Sequence, residues 1–170
     1  MLTSAFRAPY RHPAGGGSNL VPWGVEGNVS PVPSVFTMII DGELPARLVW
    51  QDDRCVAFLS INPLADGHVL VVPREEVDHW TDADPELLAH LTRAAQVIGR
   101  ALHGEFGRAR VALIIVGLEV PHLHIHVVPI DRMSDVDFAN ADPAPDPAHL
   151  DDVAERIRGS LRRMGRREVV

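Results

Sequence analysis

Positions 122 to 128 read His-Leu-His-Ile-His-Val-Val, and this alternation constrains the chain more than any other stretch. On a β-strand, residues two apart leave the same face at about 6.6 to 6.8 Å per step. His122, His124 and His126 would share one face while Leu123, Ile125 and Val127 take the other. Three imidazoles are poor core filling, because each must be solvated or find partners for its ring nitrogens. Two chemistries survive. Neutral imidazoles could converge on a metal such as zinc, or the central one could attack an electrophile while its neighbours position the substrate and leaving group. Periodicity alone does not choose between them.

The rest of the chain supplies a setting for that strand. Residues 1–33 carry prolines at 9, 13, 22, 31 and 33 and three glycines at 15–17 without a sustained period, so a flexible tail is expected there. From Val35 the texture changes to short apolar runs. Phe36 to Ile40 is stopped by Asp41-Gly42, and Leu48–Trp50, Val56–Leu59 and Val69–Val72 read as three strands of an antiparallel meander. Asp84-Pro85 suits a helix start, Leu87, Leu91, Ala94 or Ala95, Ile98 and Leu102 recur at helical spacing, and Gly104 is expected to end the run. Val111–Val116 and Leu123–Val128 read as two further strands around a turn at Gly117 and Pro121. A last helix is expected after Asp146-Pro147, with the stripe Leu150, Val153, Ile157, Leu161 and Met164 before Gly165.

At 170 residues one domain is the default. The net charge of −7 disfavours a nucleic acid partner. The arginines between 156 and 167 follow Asp151, Asp152 and Glu155, an order that complements a helix dipole. Cys55 is the sole cysteine, which excludes an intramolecular disulfide and a thiolate-rich zinc site and fits a reducing, cytoplasmic setting. No apolar run has the length of a membrane span and the N-terminus lacks a secretory core. Neither membrane nor export is expected.

Pro121-His122-Leu123-His124-Ile125-His126-Val127-Val128-Pro129 closely resembles the signature of the histidine triad (HIT) family. Asp41-Gly42-Glu43-Leu44-Pro45-Ala46, Asp52-Asp53-Arg54-Cys55-Val56-Ala57-Phe58, Ile61-Asn62-Pro63 and Gly67-His68-Val69-Leu70-Val71-Val72-Pro73 resemble that family's N-terminal half in the same order. The resemblance implies an α+β, HIT-like fold: a five-stranded antiparallel meander sheet with one main helix and a C-terminal helix. It divides the chain into a tail at 1–33, a HIT domain at 34–133 and a helical extension at 134–170. Gly117-Leu118-Glu119-Val120-Pro121 before the triad and Asp137-Phe138-Ala139-Asn140 after it look like an actinobacterial branch, with Phe138 and Asn140 expected near the site.

The implied activity is cleavage at the α-phosphorus of a nucleoside phosphoramidate, dinucleoside polyphosphate or related small molecule, with no metal and no cofactor. In the enzymes it resembles, the middle histidine attacks phosphorus and water resolves the nucleotidyl-histidine. That role falls on His124, phosphate contact on His126, and orientation of His124 on the carbonyl of His122; His68 matches a fourth histidine beside the phosphate. Phe36, Ile39, Phe58, Leu59, Ile61 and Leu70 match positions that enclose base and sugar. Ser60 stands where many relatives hold ribose with an acid, and Glu119 where a hydroxyl holds phosphate. The cysteines that some relatives use for zinc are represented by Ser34 and Thr37. A homodimer is implied as well. Two alternatives stay open: a nucleotide-binding or interaction module with weak or no catalysis, favoured by Ser60 and Glu119, and a zinc-dependent hydrolase built on the three histidines.

Overall fold

The hydroxyl of Ser34 accepts from the Thr37 amide at 3.1 Å and caps a six-residue helix, α1 (Val35–Ile40), so the first apolar run is helical. Ser34 offers the oxygen that an N-cap needs. In the computed structural model, residues 33–170 are described; the expected tail at 1–33, apart from Pro33, lies outside them. Strands β1 (Leu48–Gln51), β2 (Cys55–Leu59) and β3 (Val69–Pro73) form the expected antiparallel meander. Helix α2 (Pro85–Phe106) then crosses to β4 (Arg110–Ile114), which pairs with β5 (Ile125–Ile130). The five antiparallel strands lie in the order β1-β2-β3-β5-β4, with β5 inserted beside β3 and β4 at the edge.

The sheet has two apolar faces. On one, Ala57, Leu59, Val69, Val71, Leu123, Ile125 and Val127 pack with Leu91, Ile98 and Leu102 of α2. Val153, Ala154, Ile157 and Leu161 of the last helix, α3 (Pro147–Arg163), join the same core. The extension is thus part of the main core. On the other face, Val56, Phe58, Leu70 and Val72 pack under Phe36 of α1.

Several boundaries differ from the sequence reading: β4 stops at Ile114 rather than Val116, β1 to β3 each gain one residue, and three further differences bear on the packing or the site. Helix α2 passes Gly104 and stops at Gly107, whose φ of +63° suits glycine. The added turn places Glu105 against Arg156 at 3.1 Å and Arg163 at 2.9 Å, and sets Phe106 under the Arg156 guanidinium, 4.8 Å from its ring centroid. Ladder pairing of β5 begins at Ile125, because the amides of His122 and Leu123 bond instead to Val120 O at 2.8 Å and Val77 O at 2.6 Å. His122 and His124 therefore lie on the segment that leads into the strand, with His122 in a bend. Met164 follows α3 and is 37% exposed, so the buried stripe ends at Leu161. Among the described residues, no helix is long and apolar enough to cross a membrane.

Candidate active site

Cross-strand pairing builds the site outward from the sheet. Phe58 pairs with Leu70, and Leu70 with His126, so β2, β3 and β5 set these three in a row. His124 and His126 follow side by side, their ring centroids 4.7 Å apart. Phe36 meets His124 edge-on at 5.0 Å and Phe58 at 5.6 Å, closing one side from α1. Phe138, in the 3₁₀ turn Phe138–Asn140, meets His126 edge-on at 4.9 Å from the opposite end.

The hydrogen-bond partners fix where the imidazole protons sit. A backbone carbonyl only accepts, so His124 donates its Nδ1–H to His122 O at 2.8 Å. Its Nε2 is left with a lone pair. His122 likewise donates Nε2–H to Pro73 O at 2.9 Å, so its Nδ1 accepts from the Ser34 hydroxyl at 2.7 Å. His68 Nδ1 accepts the Leu64 amide at 3.1 Å, so its Nε2–H donates to His126 Nδ1 at 2.9 Å. That leaves His126 with an Nε2–H.

All four rings are held neutral. Burial, followed by the charge His124 would carry, pushes His68 down to about 4 from the ordinary 6.5. Burial and the neighbouring His124 and His68 push His126 down to about 3. Burial also lowers His122 and His124, against the opposing effect of the carbonyls they bond and, at His124, of the Glu119 charge.

A cleft of about 560 Å³ lies over these groups. Phe36, Ile39, Phe58, Leu59, Ser60, Ile61, Leu70, His68, Glu119, His124 and His126 all line it. His122 does not; it lies fully buried behind His124. Phe138 lines the cleft, while Asn140 does not and turns its amide toward Ser134 O at 3.4 Å. The Ser60 hydroxyl is engaged in its own turn, donating to Asn62 O at 3.1 Å.

Other wall residues carried no sequence signal. Arg47 contributes a cation, though its guanidinium is held by Asp151 at 2.6 Å and Pro147 O at 3.0 Å. Ala141 and Pro143 reach the rim because Asn62 and Pro63 clasp Asp142: Asn62 Nδ2 donates to its carbonyl at 3.1 Å and its amide donates to Pro63 O at 3.0 Å. Small apolar residues in a loop have no periodicity to read.

The arrangement suits a nucleophile better than a metal. Among the described residues, the ring nitrogens of His122 are both engaged and His124 keeps one free, as does His126. Two free nitrogens fall short of the three protein ligands of a catalytic zinc. The positions that match the zinc cysteines of some relatives carry the hydroxyls of Ser34 and Thr37, which are poor zinc ligands, and Ser34 spends its proton on His122. A zinc ion does not fit there.

A second cluster, Asp52, Cys55 and His90, brings ligand-type atoms within 4.8 Å. Its carboxylate is already saturated. Oδ2 receives Trp50 Nε1–H at 2.8 Å and lies 3.0 Å from His90 Nε2, and Oδ1 takes the amides of Arg54 and Cys55 at 2.8 Å each. Burial raises the Asp52 carboxyl, but these donors outweigh it and bring it to about 2. Burial and the Asp52 charge raise the Cys55 thiol far above its ordinary range, so it stays protonated. This is a structural knot.

A model of the HIT domain family matches residues 41–133. An uncharacterized HIT-like protein from Synechocystis is 37% identical over 101 residues, covering 56% of this chain and 88% of that protein. Among solved structures, a Zn-bound histidine triad family protein from Mycobacterium smegmatis superposes with a TM-score of 0.66 at 28% identity, over 77% of this chain and 94% of that one. A hypothetical histidine triad nucleotide-binding protein from Sulfolobus tokodaii shares the fold, with a TM-score of 0.68 at 23% identity over 77% and 93% of the two chains.

Proposed function

Since the chain belongs to the HIT domain family, we propose that it binds a nucleoside phosphate and cleaves it at the α-phosphorus through a nucleotidyl-His124 intermediate. The observation that carries this reading is the 2.8 Å bond from His124 Nδ1–H to His122 O, which fixes the tautomer with its lone pair on Nε2, in a ring that lines the cleft. The Nε2 lone pair forms a bond to phosphorus as the bond to the leaving group breaks and its electron pair departs with that group, which takes up a proton. The ring becomes cationic, and the His122 carbonyl, already accepting Nδ1–H, stabilises it. A water oxygen then bonds to phosphorus, the N–P electron pair returns to Nε2, and the water proton passes to solvent.

His126 Nε2–H is the donor available to a non-bridging oxygen, backed by His68. Both rings are neutral, so their contribution is hydrogen bonding. Phe36, Ile39, Phe58, Leu59, Ile61 and Leu70 give the cleft the apolar walls a base requires. Phosphoramidates and dinucleoside polyphosphates are the substrate classes proposed. A homodimer is proposed too, supported by the open edge of β4, where Leu113 is 49% exposed beside a groove shared with α2.

Intact-protein mass spectrometry after brief incubation with adenosine phosphoramidate, quenched without acid, tests the reading. An added adenylate mass in the wild type that is absent from His124→Ala, with AMP released, is the expected result. A folded protein that binds AMP but forms no adduct and releases no AMP would move the assignment to a binding module. That second reading is favoured by the Ser60 hydroxyl, already spent on Asn62 O.

A further inference from the structure

Ser34 and His122 are 88 positions apart, yet their side chains meet at 2.7 Å. The contact belongs to a directed chain of hydrogen bonds. His122 donates Nε2–H to Pro73 O, so Ser34 O–H must donate to His122 Nδ1. Ser34 Oγ accepts the Thr37 amide at 3.1 Å. Thr37 donates its own hydroxyl proton to Glu76 Oε2, and that oxygen also takes the Ser34 amide at 3.2 Å. Thr37 Oγ1 also lies 3.1 Å from Ser34 Oγ and 3.5 Å from His122 Nδ1, so the two hydroxyls and the imidazole form one cluster.

His122 never faces the cleft, but its carbonyl receives the Nδ1–H of His124. Its peptide is pinned from both sides, with the His122 amide on Val120 O and the Leu123 amide on Val77 O. Its ring is pinned at both nitrogens, by Pro73 and Ser34. Without the Ser34 hydroxyl, the fully buried acceptor would keep only the long 3.5 Å contact with Thr37 Oγ1, and the ring could rotate in search of a better donor. Any such rotation pulls on the carbonyl that orients His124.

We propose that Ser34, Thr37 and Glu76 are positioning residues that act through His122 to hold His124 in its attacking tautomer, and that they do so without a metal. The inference rests on the reading of His124 as nucleophile. The positions matching the zinc cysteines of some relatives here serve instead as a hydroxyl relay from α1 to the first histidine of the triad. Segment 34–37 thereby joins the catalytic apparatus, with Phe36 edge-on to His122 and His124 and lining the cleft together with Val35.

The test uses the full chain with adenosine phosphoramidate, and long-range ¹H–¹⁵N spectra of the histidine rings. The wild type should show His122 as the Nε2–H tautomer with an accepting Nδ1. Ser34→Ala should shift that Nδ1 resonance and lower kcat by about ten- to a hundredfold, with KM within about twofold, and Ser34→Thr should restore most of the loss. Dialysed against zinc, the wild type should retain well under one equivalent, whereas Ser34→Cys with Thr37→Cys should take up about one. An unchanged kcat in Ser34→Ala, an Nδ1–H tautomer for His122, or stoichiometric zinc in the wild type that Ser34→Ala abolishes would overturn the proposal. If the wild type releases no AMP, the nucleophile reading fails by itself, and the tautomer spectra still decide whether Ser34 governs His122.

Discussion

His68 Nε2 and His126 Nδ1 stand 2.9 Å apart with one proton between them, donated by His68. A second proton on the pair would sit in a buried space beside His124, which is why His68 is pushed down to about 4 and His126 to about 3. Unfolded, both rings take up a proton near pH 6.5. Below that pH the unfolded chain binds more protons than the native one, so stability falls as pH drops from about 6.5 toward 4 and is unaffected by this pair above 6.5. Urea unfolding at pH 5 should give a free energy lower than at pH 7.5 by about 2 kcal/mol or more. Equal values at the two pH values would show that the pair carries the extra proton in the native state.

Glu119 lines the cleft as an exposed carboxylate, and its charge raises the basicity of His124. Glu119→Gln should tighten AMP binding by about two- to fivefold, the scale of one exposed charge interaction. The acid limb of the pH–kcat profile should move to lower pH in the same variant. Calorimetric titration with AMP and the profile itself check the two halves; weaker AMP binding would mean that Glu119 supports the ligand.

Gly67 carries φ +85° immediately before His68, and a Cβ there would stand 2.7 Å from Phe106 Cε2 and 3.1 Å from Leu102 Cδ2. The ring is half-buried under the Arg156 guanidinium at the end of α2, so it must shift against that contact to make room. Gly67→Ala should cost about 1 to 3 kcal/mol in denaturant unfolding. A neutral substitution would mean that the turn and Phe106 relax together.

Cys55 is fully buried with a thiol that resists ionisation. A thiol reagent should leave the native protein unlabelled and modify it once unfolded. Asp52→Ala removes the shared acceptor of Trp50, His90 and two amides, and should destabilise by about 2 to 4 kcal/mol while making Cys55 reactive.

If copies pair through the edge of β4, a charge on its exposed apolar residue should oppose them. Leu113→Glu is expected to shift the sedimentation coefficient from dimer to monomer, with the circular dichroism spectrum preserved. A monomeric wild type would remove the dimer from the proposal.

Where local chemistry decides, the sequence was readable. Asp84-Pro85 and Asp146-Pro147 start α2 and α3, since a carboxylate cap and a proline at the first helical position act within one turn. The alternation from Leu123 to Val127 correctly sorted core side chains from cleft side chains. Where contacts between distant segments decide, it was not. Gly104 and Gly107 look alike as helix stops, and what separates them is the hold of Arg156 and Arg163 on Glu105. The strand start at Ile125 depends on Val77 O capturing the Leu123 amide, and the bond between Ser34 and His122 is made only by the closed fold.

The cleft draws its walls from far apart in the chain: Phe36 and Ile39 precede the stretch 41–133 that matches the family, and Phe138, Ala141 and Pro143 follow it. A shortened protein limited to that stretch would retain every histidine of the triad and the sheet beneath them. It would have lost one side and the rim of the chamber in which they work. Two relatives could therefore share every matched residue yet differ in what they admit, because selectivity is written into the flanks that a family boundary leaves out.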